Sequence, residues 1–98
     1  MAQGIAPFNL EAEKAVIGCI IIDNDNIIKI IDIIKPDHFY DQRNFQVYET
    51  IIKLHSGGKV VDLLTLSTEL GKKGKKGADS AYIAELVDSV PSVSNIEE

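Results

Sequence analysis

One isoleucine-rich run constrains this chain more than any other feature. Ile27-Ile28-Lys29-Ile30-Ile31-Asp32-Ile33-Ile34 is built from β-branched residues, which favour strands. Ten of the fifteen isoleucines lie between Ile17 and Ile34. Yet the run does not alternate, as a strand with one wet face must. Ile27, Ile30, Ile31 and Ile34 share a helical stripe, and Lys29 and Asp32 fall opposite it. The run predicts a helix, and its neighbours follow the same period.

A first helix is expected from an Asn9 N-cap to about Asp23, with Glu11 and Glu13 at its positive end. Ala12, Ala15, Val16 and Cys19 line one face, while Leu10, Ile17 and Ile21 line nearly the opposite one. A helix apolar on both sides is either central to a core or shared with a partner. A chain of 98 residues rarely encloses a helix completely, so self-association is expected. Leu10, Ile17 and Ile21 are the candidate contact residues.

Asp23-Asn24-Asp25-Asn26 breaks the chain and caps the isoleucine helix. Pro36 ends that helix and opens a short turn through Phe39. Arg43 to His55 carries the clearest amphipathic pattern, with Phe45, Val47, Tyr48, Ile51, Ile52 and Leu54 on one half of the wheel. Gly57-Gly58 stops it. Asp62 caps a fourth helix, with Leu63, Leu66 and Leu70 inward and Gly71 closing it. A fifth helix begins near Asp79 or Ser80, turns Ile83, Leu86, Val87 and Val90 inward and ends before Pro91. Ser94 to Glu97 reads as a capping box for a sixth helix. A start signal with no helix behind it is what a fragment of a longer protein would show. The expected fold is all-α, a compact orthogonal bundle of about five to six short helices.

Composition narrows the function. At 10.7 kDa the chain makes one domain, and its 45% apolar and 26% charged residues are ordinary for a globular protein. A net charge of −5 argues against a dedicated reader of duplex DNA. A single cysteine excludes a disulfide scaffold and a cysteine-based zinc site. No secretory signal precedes Phe8, and the apolar stretch from Ala15 to Ile22 is too short to span a bilayer. A cytoplasmic protein without membrane contact is expected.

Candidate chemistry is thin. Asp23-Asn24-Asp25-Asn26 opens like a calcium loop, but Ile28 and Ile34 stand where an EF-hand needs Gly and Glu. Gly71-Lys72-Lys73-Gly74-Lys75-Lys76-Gly77 lacks the spacing and the hydroxyl of a phosphate loop. It reads as a solvated basic loop. Its functional alternative is salt-sensitive contact of Lys72, Lys73, Lys75 and Lys76 with phosphates or an acidic partner, which would make this a small nucleic-acid-binding domain. His38 and His55 are not at metal-ligand spacing, and His55 is placed on the apolar side of its helix. Cys19 reads as a buried small hydrophobe rather than a nucleophile. Tyr82 lies beside the fifth helix's apolar stripe, either as a boundary residue with its hydroxyl in water or as an anchor for a partner. No catalytic pair stands out.

The order of segments resembles a known family. Asn9-Leu-Glu-Ala-Glu-Lys-Ala-Val-Ile-Gly18 is similar to the opening helix of the N-terminal domain of bacterial replicative DNA helicases of the DnaB type. Pro36-Asp-His-Phe-Tyr40 resembles its P-x-D-F-Y turn, and Val61 to Leu70 resembles its V-D-L-x-T segment. Ala81 to Leu86 and Val90 to Ile96 resemble its A-Y-L and P-[ST]-x-x-N pieces. His38 departs from a usual acidic residue, Asn44 from a frequent His, and Ala78-Asp79 from a usual Gly-Gly.

The resemblance implies three regions: an N-terminal tail over 1–8, a collar domain over 9–93, and over 94–98 the start of a truncated helical hairpin. It implies a domain that supports a hexameric ring as a trimer of dimers. The expected partners are other helicase subunits, primase and a helicase loader. ATP and Mg would belong to a separate C-terminal motor that hydrolyses ATP, unwinds DNA and makes most of the DNA contacts. G-x-x-x-x-G-K-[ST] does not occur in these residues, so the fragment itself is expected to need no cofactor and to hold no catalytic or metal site.

Overall fold

A computed structural model describes residues 9–74 and 78–91, and among these described residues there are five helices and one 3₁₀ turn. α1 spans Leu10–Ile22, α2 Asn26–Ile30, α3 Gln42–Ser56, α4 Leu63–Lys72 and α5 Ser80–Asp88, with the 3₁₀ turn at Pro36–His38. No strand occurs among the described residues, and the isoleucine run is helical to Ile30 and continues as a turn over 31–33.

Local chemistry sets the helix ends. Asn9, Asp41, Asp62 and Asp79 each accept a hydrogen bond from the first turn of α1, α3, α4 and α5. α3 closes at Gly58, whose φ is +75°, with Lys59 N–H donating to the Leu54 carbonyl at 2.9 Å and Gly58 N–H to that of His55 at 3.0 Å. This six-to-one and five-to-two pairing needs a left-handed residue, and glycine takes it without a Cβ clash.

Two ends differ from expectation. α4 does not stop at Gly71 but runs through it to Lys72, and the left-handed residue is Gly74, at φ +65°. Gly71 keeps helical dihedrals because the reversal falls three residues later. α2 is also shorter than its stripe, although Ile33 and Ile34 N–H groups still donate to the Ile30 carbonyl. The Ser94 capping box lies outside the described residues.

α1 packs chiefly on α5 and also on α3 and α2, while α4 bridges α3 and α5. The core gathers Ile17 and Ile20 from α1, Val47, Tyr48 and Ile51 from α3, Leu66 and Leu70 from α4, and Ile83 and Leu86 from α5. Tyr48 Oη donates to the Ile34 carbonyl at 2.6 Å, tying α3 to the end of the isoleucine run. A Cβ at Gly18 would lie 2.3 Å from the Leu86 carbonyl oxygen, so glycine is what lets α1 approach α5 this closely.

Candidate interaction surface and its polar anchors

Asn24 joins two connections. Its amide nitrogen donates to the carbonyls of Ile20 and Val61, each at 2.9 Å, and its amide oxygen accepts from Val61 N–H at 2.7 Å. Asn26 adds a bond to the Cys19 carbonyl at 3.0 Å. The polar turn after α1 is thus a clamp that holds the α3–α4 connection against the α1–α2 turn. Val61 is fully buried, so without Asn24 its backbone groups would lose these partners.

A second cluster joins α1, α3 and α5. The Glu13 carboxylate accepts from Tyr40 N–H at 2.8 Å and from the Asn44 amide at 2.9 Å. The Asn44 amide oxygen in turn accepts a short hydrogen bond from the Tyr82 hydroxyl. The Arg43 guanidinium lies 4.1 Å from the centre of the Tyr82 ring and pairs with Asp41 at 3.4 Å. Lys14 and Glu85 close the α1–α5 seam with a 2.6 Å ion pair.

The electrostatics follow from these contacts. Burial pushes the Tyr82 hydroxyl above its usual range, and the Asp41 charge adds to that. Burial also pushes the Asp41 carboxyl up, but hydrogen bonds from the Arg43 side chain and from the Arg43 and Asn44 N–H groups outweigh it and hold the group below its usual value. The hydrogen bond to Glu85 raises Lys14.

The candidate residues are placed as follows. Ile17 is fully buried and Tyr82 is 4% exposed, so both are used by the domain's own core. Tyr82 does not hold its hydroxyl in water, because Asn44 receives it inside. Leu10 is 40% exposed and Ile21 is partly buried. Lys72 and Lys73 are exposed at the end of α4, with Lys72 3.9 Å from Glu69. Lys75 and Lys76 lie outside the described residues. His55 is exposed rather than on the apolar side, because α3 ends there and turns it outward. His38 is exposed, and its Nδ1 accepts from Lys35 N–H at 3.1 Å. Cys19 is half-buried rather than enclosed.

The described surface is apolar in places the periodicity did not single out. Ile22, Ile28, Ile33, Val60 and Leu64 each expose more than half of their surface. Among the described residues, no group of three His, Cys, Asp or Glu side chains could hold a metal ion, and no helix is long and apolar enough to cross a membrane. What the surface offers is area for contact.

Comparison with known proteins points the same way. Residues 5–98 match the family model described as the DnaB-like helicase N terminal domain. The chain is 35% identical over 69 residues to the replicative DNA helicase DnaB of Rhodothermus marinus, covering 70% of this chain and 7% of that protein. It is 33% identical over 66 residues to the replicative DNA helicase DnaC of Bacillus subtilis, covering 67% of this chain and 14% of that one. Among solved structures, the N-terminal domain of DnaB helicase from Mycobacterium tuberculosis superposes with a TM-score of 0.84 at 28% identity, over 91% of this chain and 66% of that chain. The structure of a DnaB-like replicative helicase and its interactions with primase gives a TM-score of 0.75 at 29% identity, over 91% and 21%.

Proposed function

Because this chain belongs to the DnaB-like helicase N-terminal domain family, we propose that it is a protein-interaction module of a replicative helicase. In this reading the domain holds helicase subunits together in a ring and docks primase. The observation that carries it is the exposed apolar surface on a domain whose core is already filled by its own helices. The relative solved with primase supports the partner's class. The chain spans a small fraction of its curated relatives' length, so DNA unwinding and ATP hydrolysis are proposed for the longer protein. Contacts with a loader and with DNA are proposed there too.

Leu10 and Ile21 are the earlier contact candidates that keep accessible surface. Ile17 and Tyr82 would act by shaping the surface from beneath. The test is complex formation with the C-terminal domain of the cognate primase, read as molar mass by light scattering after size exclusion. A one-to-one or higher complex is expected, with the free domain's mass rising with concentration. No complex with this chain, or with one extended past Glu98, would overturn the docking role.

A further inference from the structure

Two shallow grooves meet at Lys59, on the side of the molecule held by the Asn24 clamp. One, of about 320 Å³, is lined by Ile28, Val60 and His55, with Asp25 at its rim. The other, of about 160 Å³, lies between the end of α3 and α4 and is lined by Leu54, Leu64 and Lys72. Lys59 lines both. Ile28, Val60 and Leu64 are 67%, 64% and 72% exposed, which is unusual for apolar side chains grouped along one path. The path is preformed. Gly58 and the Lys59–Leu54 backbone bond fix the turn, and the Asn24–Val61 pair fixes the wall beside it.

Charge converges on the second groove. Lys53 lies 3.1 Å and Lys72 3.9 Å from the Glu69 carboxylate. Lys59 is close enough to help lower that carboxyl, after the larger effect of the Lys53 hydrogen bond. Glu69 offsets one of three ammonium groups, so the groove is positive on a chain of net charge −5.

We propose that the joined grooves dock an acidic peptide segment of a partner protein that carries large aliphatic side chains. Its apolar residues seat on Ile28, Val60 and Leu64, and its carboxylates face Lys53, Lys59 and Lys72. Charge complementarity selects an acidic occupant. The apolar path selects a peptide over a phosphate backbone, and no Phe, Tyr or Trp side chain lines either groove to stack successive bases. Asp25 sets the direction, since it keeps the acidic stretch over the α3–α4 end. The proposal uses part of the same exposed apolar surface as the ring and primase reading, but its test contains neither primase nor a ring, so the two can fail separately.

Fluorescence anisotropy with the whole 98-residue chain tests it. The probe is a labelled peptide of about twelve residues in which Asp and Glu flank a Leu-Leu pair. A second peptide replaces both leucines by serine, and a labelled thymidine oligonucleotide is the third probe. Saturable binding of the first at low salt is expected. Affinity should fall about tenfold or more for the serine peptide, for Lys59→Glu with Lys72→Glu, and for Leu64→Ser. All three positions are exposed or lie at the open rim, so the melting curve by circular dichroism should be retained. Absent binding, or equal binding of the leucine and serine peptides, overturns the proposal. Tighter binding of the oligonucleotide, lost in the same lysine variant, overturns it in favour of nucleic acid.

Discussion

A methyl group added to Gly18 would meet the Leu86 carbonyl oxygen at 2.3 Å and Val90 Cγ2 at 2.6 Å. Alanine would favour the helix by about 1 kcal/mol, but overpacking a fixed backbone costs about 1–3 kcal/mol or more. The clash includes a main-chain atom that cannot rotate away, so the steric cost wins. Gly18→Ala is expected to lower stability by about 2 kcal/mol, seen as a drop of roughly 10 °C in melting temperature for a domain of this size. A gain in stability would show that α1 and α5 can separate freely. This contact was not legible in advance. Gly18 sits in a helical period like any small residue, and nothing local announces that α5 will cross it. The Glu13–Asn44–Tyr82 cluster was hidden for the same reason, because its members are 31 and 38 positions apart and carry no apolar period. The sequence leaves Tyr82 as either a boundary residue or a partner's anchor, and only tertiary packing shows that its hydroxyl turns inward to Asn44.

At the scale of the element, caps were the most legible feature. Asn9, Asp62 and Asp79 accept first-turn N–H groups where the sequence places them, because a cap is decided within four residues. The end of α4 was less legible, since Gly71 and Gly74 offer the same chemistry and only the helix's length on α3 and α5 chooses between them. Asp41 caps α3 by accepting from the N–H groups of Arg43 and Asn44 at 2.7 and 3.3 Å. Asp41→Ala should cost about 1 kcal/mol. Its carboxyl is held below the usual 3.8, so it binds a proton more weakly folded than unfolded. The resulting stability is fully present above the unfolded value and fades as pH falls through the lower folded one. Chemical denaturation from pH 6 down to about 2 should therefore show an acid loss in the parent that is smaller in Asp41→Ala. Equal acid losses in the two would remove Asp41 from the account.

Taken whole, the molecule is closed by its first and last described helices. α1 and α5 form the most extensive pairing, and each also reaches α3 or α4, so neither can leave without opening the core. α2 is different. It has five residues, buries only Ile27 deeply and leaves Ile28 and Lys29 exposed. Its other tethers are the partial packing of Ile30, Ile31 and Ile34 on the core and two polar bonds, Asn26–Cys19 before it and Tyr48–Ile34 after it. A domain of this length has roughly 5–10 kcal/mol of total stability, and local openings sample any fraction of it. Native-state hydrogen exchange should then divide the chain. The Ile20 and Leu86 amides should exchange together, through global unfolding. The Ile30 and Ile31 amides, bonded to α2 carbonyls, should exchange at least about tenfold faster through an opening that leaves the core intact. The isoleucine run that makes the chain helical would thus be its least stable helix, because its period supplies one deep contact while Ile30, Ile31 and Ile34 are only partly buried against the core. Equal protection of α2 and α1 would mean that α2 belongs to the closed unit, and that the surface carrying Ile28 is as rigid as the core beneath it.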